Sequence, residues 1–207
     1  LVLVDREMPE CQTNFVRCDD YQGGYIAGKH LLELGHRHFL YLPGPKYNLS
    51  QTRRHAGIMD ALSEANVPAS NIREIDYHTV FGSTAESTSS YKPYEELFFP
   101  VNYTAVIGFN DLQSYSAMEI LQKKGYRIPE DISLISFDHL RKTHTYLPPL
   151  TSIADNSEKS IADTAVSILL DKIRNPSSEI SSKVLPVSIF DGHTTGPINE
   201  TFAHSFE

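Results

Sequence analysis

The stretch TAVIGFNDLQSYSAMEILQKKGYRIPEDISLISFDH, Thr104–His139, decides the fold. Its first apolar run, Ala105–Phe109, is too short for a helix and reads as a strand that gives way to the polar pair Asn110–Asp111. Leu112–Lys124 reads as a helix, and Gly125 stands where a helix stops because glycine takes the left-handed conformation at little cost. A second apolar run, Ile132–Phe137, ends at Asp138. Short apolar runs alternating with helical stretches are the signature of βα units feeding a parallel sheet.

The same alternation extends in both directions. Upstream, Leu1–Val4 reads as a strand ending at Asp5. Tyr21–Leu34 reads as a helix stopped by Gly35, and Phe39–Leu42 as a strand closed by Pro43 and Gly44. Gln51–Ala65 places Ile58, Ala61, Leu62 and Ala65 on one helical stripe, and Ile72–Tyr77 reads as a short strand. Residues 78–90 are rich in Ser and Thr and read as loop, and Tyr91–Phe99 as helix up to Pro100. Downstream, Asp138–Leu150 reads as a loop with two prolines. Asn156–Arg174 reads as one amphipathic helix, Val184–Phe190 as one late strand, and the polar tail after Pro197 as frayed. The result is an α/β chain with a parallel sheet flanked by helices.

Composition narrows the function. A net charge of −8 argues against this segment gripping nucleic acid by itself, because phosphate contact needs clustered Lys and Arg. No apolar run is long enough to span a membrane, and LVLVDREMPE lacks the basic and apolar regions of a signal peptide. Cys11 and Cys18 fit no metal spacing and read as reduced thiols, with a disulfide left open. The histidines, including His36, His38, His139 and His144, make no metal set. There is no G-x-S-x-G, Walker loop, G-x-G-x-x-G or H-E-x-x-H, so an enzyme is the remote reading and no cofactor or metal is expected.

In an open parallel sheet, ligands sit beyond the carboxyl ends of the strands. The residues there are Asp5, the loop from Pro43 leading to Arg54, Asn110–Asp111 and Asp138. Carboxylates accept from hydroxyls, arginine donates in a fork and asparagine does both, which suits a neutral polyol. Arg54 lies four residues before Ile58 and continues that buried stripe, so it can reach over the sheet edge from a cleft rim. Each candidate has a plainer alternative. Arg54 can be a solvated residue packing its stem, Asp138 a loop cap, Asn110 an N-cap, and Asp111 a partner of its own helix N-terminus.

At these residues the chain resembles the lac repressor (LacI/GalR) family. The blocks that carry the resemblance are Asp19–Gly44, Gln51–Leu62, Thr104–His139, Pro148–Ile153 and Val184–Thr195, in the family's order. The family pattern has Asn where Asp20 stands. The resemblance implies a type I periplasmic-binding-protein-like fold of two subdomains, the first largely absent. Residues 1–17 and 155–180 would belong to the first, 18–154 would form the effector-binding second, and 181–207 would supply a closing strand and tail.

The resemblance also implies effector contacts at Arg54, Asn110 and Asp138, with Asp5 and Asp19 in the same candidate set and Asp155 as a hinge-side polar contact. An aromatic that stacks on the ligand falls on Tyr77 or Phe81, either of which can equally be core or loop filler. The implied protein is a cytoplasmic, ligand-responsive transcriptional regulator sensing a sugar-like molecule. It is a homodimer that meets DNA only through a helix-turn-helix domain outside this chain. A transporter's sugar-binding protein with the same fold is the alternative. The stripe Ile161, Ala165, Ile168, Leu169 and Ile173 should then be covered by an N-terminal segment, a partner chain or both.

Overall fold

A computed structural model of the chain describes residues 1–8, 10, 12–75, 94–140 and 147–204. In chain order its regular elements are β1 (Val2–Val4), β2 (Asn14–Cys18), α1 (Asp20–Glu33), β3 (Phe39–Leu42), α2 (Leu49–Glu64), β4 (Ile72–Glu74), β5 (Ala105–Gly108), α3 (Asp111–Lys123), β6 (Ser133–Phe137), β7 (Thr151–Asp155), α4 (Ile161–Arg174), β8 (Ser182–Leu185), β9 (Val187–Phe190) and α5 (Glu200–Ala203). The strands form two sheets: a six-stranded one in the order β4-β3-β5-β6-β7-β9 and a three-stranded one in the order β1-β2-β8. All neighbours are parallel except β7 and β9.

The larger sheet is covered on both faces. Phe39 and Tyr41 of β3 point into a core shared with Leu31 of α1 and Ile58 and Leu62 of α2. Leu40 and Leu42, one residue out of phase, point into a second core with Ala117 and Leu121 of α3. Two covered faces explain why β3, β5 and β6 are apolar or small at successive positions rather than at alternate ones. Helices α1 and α2 touch backbone to backbone, since a Cβ on Gly57 would stand 2.0 Å from the Tyr21 carbonyl oxygen. That approach seats the first turns of α2, and Arg54 with them, directly against α1.

The structure differs from the sequence reading in five places. The late strand Val184–Phe190 is two strands in two sheets: β8 pairs with β2, and β9 turns back along β7. Pro186, which has no N–H for a ladder, marks the break inside a nearly continuous apolar run. The long helix starts at Ile161 rather than Asn156, because Ser160 caps it by accepting from the Asp163 amide at 3.1 Å. Strands β2 and β7, which had no separate place in the sequence reading, are each only five residues long. The polar tail is not frayed up to His204: Asn199 caps α5, and Phe202 packs edge-on against Tyr126. Of the stretch read as helix over Tyr91–Phe99, residues Tyr94–Phe98 form a 3-10 helix.

Candidate functional site

Strand β3 leads through α2 to β4 on one side, while β5 lies on its other side. The chain therefore changes direction between β3 and β5, and a crevice opens beyond their carboxyl ends. Two glutamines shape its floor. Gln51 accepts from the Gly44 amide at 2.7 Å and from the Tyr41 hydroxyl at 2.9 Å. Gln113 donates to the Pro43 carbonyl at 3.1 Å and accepts from the Phe109 amide at 3.1 Å.

Arg54 projects into this crevice and is almost wholly buried, 6% exposed. Its Nε donates to Asp20 at 2.9 Å, its Nη1 to the Phe109 carbonyl at 2.7 Å and its Nη2 to Asp138 at 3.2 Å. The guanidinium also lies 5.1 Å from the Phe109 ring centre and 4.5 Å from that of Phe137. Burial opposes its charge, but the Asp138 and Asp20 carboxylates outweigh burial and hold its pKa above the usual value. The sequence placed Arg54 at a rim, and the structure corrects this: it is a fixed strut under the crevice.

Asp20 is the residue the sequence reading passed over as a departure from pattern. It is buried, and its Oδ2 has no hydrogen-bond partner among the described residues. An acid at the first position of α1, two residues after a strand, was visible in the sequence. What it faced was not.

Asp138 stands at the rim with its side chain 39% exposed. Its backbone is in the left-handed region, φ 93°, and the following His139 is too, at φ 49°. Crowding by protein raises its carboxyl above the ordinary range, Arg54 pulls it back, and Asp111 and Asp20 add to the rise. Asp5, at the end of β1, also takes a left-handed backbone, φ 53°. It is open to solvent on one side, yet burial on the other raises its carboxyl, Asp20 and Asp138 reinforce the rise, and Arg54 opposes it. Asp5 from the smaller sheet thus shares one electrostatic cluster with Asp20, Arg54 and Asp138 from the larger.

The model of the periplasmic binding protein-like domain matches residues 29–195, most of the chain. The chain belongs to that family. Within it, the curated relatives are LacI-family regulators. The HTH-type transcriptional repressor PurR of Mannheimia succiniciproducens is 30% identical over 174 residues, covering 84% of this chain and 50% of that protein. PurR of Escherichia coli strain SE11 is 34% identical over 173 residues, covering 82% and 48%. The chain spans about half the length of the curated relatives it matches. Among solved structures, a LacI family transcriptional regulator from Enterococcus faecium with bound ribose superposes with a TM-score of 0.80 at 27% identity, covering 96% of this chain and 71% of that one. The transcriptional regulator CelR–cellobiose complex superposes at 0.74 and 25% identity, covering 93% and 58%.

In this LacI-type periplasmic-binding-protein-like domain the other candidates have local structural partners. Asn110 caps α3, accepting from the Gln113 amide at 2.9 Å, and Asp19 caps α1, accepting from the Gln22 amide at 3.1 Å. Asp155 ends β7 and accepts from the amide of Ser157 at 2.8 Å and from its hydroxyl. Cys18 is a free thiol whose pKa is pushed up to about 12 by burial and by Asp5, Asp20 and Asp155, so it stays protonated and inert. Tyr77, Phe81 and Cys11 lie outside the described residues.

A cavity of about 440 Å³ adjoins the crevice through Gly44 and Gln51 and continues past Lys46, His55, Glu74 and Ile75. It does not reach Arg54 or Asp138. The His55 Nε2–H donates to the Glu74 carboxylate at 2.9 Å, and that bond raises its pKa against the effect of burial. Among the described residues no group of three or more His, Cys, Asp and Glu could hold a metal ion, and no helix is long and apolar enough to cross a membrane.

Proposed function

We propose that this chain is the effector-binding part of a cytoplasmic, homodimeric transcriptional regulator, and that its effector is a neutral sugar or similar small polyol bound over Arg54. Asp138 is read as the principal rim contact, with Asn110 and Asp5 beside it and Asp19 and Asp155 further out toward the smaller sheet. DNA contact is assigned to a helix-turn-helix domain outside these residues, and no catalytic step is assigned to the site.

The observation that carries the reading is the arrangement of charge around Arg54. One guanidinium is surrounded by three carboxylates, those of Asp20, Asp138 and Asp5. Three acids against one base disfavour anionic ligands such as phosphates and carboxylic acids. They favour a neutral molecule with many hydroxyls to donate, and the half-buried Phe109 ring beside Arg54 supplies apolar surface for its C–H face. Relatives solved with ribose and with cellobiose support the same class.

Calorimetry of the 207-residue chain against ribose, cellobiose and other polyols, with nucleobases and amino acids as the contrasting arm, tests it. Binding is expected within the polyol arm, and Asp138→Ala should weaken it by at least about 1.5 kcal/mol through loss of a charge-assisted hydrogen bond. Binding confined to nucleobases or amino acids sinks the reading, as does unchanged affinity in Asp138→Ala.

A further inference from the structure

Asp111 opens α3 next to the cap residue Asn110, yet its carboxylate is bonded away from its own helix. It is 1% exposed, and its oxygens reach the turn after β6 and Ser152 of β7. Oδ2 accepts from the Leu140 amide at 2.7 Å, and Oδ1 accepts from the Ser152 hydroxyl at 2.8 Å. With its proton directed at Asp111, the same hydroxyl accepts from the His139 amide at 2.9 Å. Two successive backbone amides therefore end on one carboxylate, the second directly and the first through a single hydroxyl.

The turn they belong to is the one that carries Asp138. Two consecutive non-glycine residues with positive φ, Asp138 at 93° and His139 at 49°, are costly and persist only where surrounding bonds hold them. The Asp138 amide is itself tied to the Ile153 carbonyl at 2.9 Å. We infer that Asp111 is the positioning residue of this turn: it holds residues 138–140 so that the Asp138 carboxylate meets Arg54 and faces the crevice. It also links the ends of β5 and β6, so that the Asn110 and Asp138 contacts are set by one buried group. This inference rests on the reading of Asp138 as an effector contact.

The test is a double-mutant cycle on the 207-residue chain, with D-ribose as the probe or, if D-ribose is inert, the polyol that raises the melting temperature most. Asp111→Asn should weaken binding about tenfold, within the coupling range of residues in one hydrogen-bond network, and should speed amide exchange at His139 and Leu140. In the Asp138→Ala background the same substitution should cost no further affinity, because Asp111 acts through Asp138. Ser114→Ala removes the 2.9 Å bond to Ser136 in the same buried layer without touching the turn, so it should lower the melting temperature and leave affinity unchanged.

If Asp111→Asn fails to fold, Ser152→Ala carries the test. It removes only the His139 limb and should cost about threefold, again not in the Asp138→Ala background. Additive losses, or a folded Asp111→Asn chain with full affinity, overturn the inference. Wild-type affinity in Asp138→Ala, or a chain that binds no polyol, overturns the site reading beneath it.

Discussion

The two sheets of this chain are built from similar strands but are buried very differently. The six-stranded sheet has a core on each face, with Phe39, Tyr41, Ile58 and Ile107 on one side and Leu40, Val106, Leu121 and Leu134 on the other. The three-stranded sheet has one cluster, in which only Val16, Ala165, Ile168 and Leu185 are buried. Around it Val4, Val166, Leu169, Leu170, Ile173 and Val184 remain exposed, Ile173 at 66%. Parallel strands are stable when helices cover both faces. The larger sheet meets that condition within the described residues, whereas one helix, α4, serves the smaller. The crevice lies where they meet: Arg54, Asp20 and Asp138 are held on the well-buried side, and Asp5 approaches from the sparsely covered one.

The sharpest way to break this contrast is at Arg54. If the large lobe's edge depends on that strut, Arg54→Ala leaves the buried Asp20 carboxylate without its counter-charge, and should cost about 3–5 kcal/mol in chemical denaturation. Adding Asp20→Asn should recover part of the loss. A single mutant as stable as the parent would mean that the pair is not structural.

A smaller effect is expected at His36, which fastens the far edge of the same lobe. Its ring nitrogens meet the Thr104 hydroxyl at 2.9 Å, the Ser133 hydroxyl at 2.9 Å and the Gly196 carbonyl at 3.0 Å. Burial lowers its pKa from 6.5 to about 4. Between those values the unfolded chain binds a proton that the native chain refuses. Stability from this group is therefore fully present above pH 6.5 and is lost as pH falls toward 4, by up to about 3 kcal/mol. Denaturation midpoints across that range should slope downward with acid, and the slope should flatten in His36→Gln. Equal slopes in the two proteins would show that His36 is not the responsible group.

The mildest test compares the two regions directly. Ile107→Val, inside the larger lobe, should cost about 1 kcal/mol. Ile173→Val, on the open side of α4, should change stability by less than about 0.5 kcal/mol. A cost at Ile173 that grows with protein concentration would show that a second copy covers the helix, which light scattering would confirm.

The sequence was most readable where burial was two-sided. Ala105–Phe109, Leu112–Lys124 and Ile132–Phe137 match β5, α3 and β6 to within a residue or two at each end, because continuous apolar runs and glycine stops are local signals. It was least readable in the smaller sheet. β2 is half-buried and short, and one nearly continuous apolar run through Pro186 served strands in both sheets. The site followed the same division. Asn110 and Asp138 could be named as candidates because strand ends can be counted, and Arg54 because it continues the buried stripe of its helix. Asp20 was passed over, and Asp111 was read as serving its own helix N-terminus, since an acid in the first turn of a helix looks like a partner for the helix dipole whichever way it points.

The order of strands and helices, the acidic balance and the residues at the strand ends were therefore determined by the sequence alone, since periodicity, turn chemistry and charge are properties of neighbouring residues. The tertiary structure decided which of those residues meet. The direction change between β3 and β5 opens the crevice. The backbone contact at Gly57 brings Arg54 to Asp20, 34 positions away in the chain. The left-handed turn at Asp138 closes on a carboxylate 29 positions before Leu140. Contacts at such separations depend on how the layers pack, and no local pattern of residues encodes that packing.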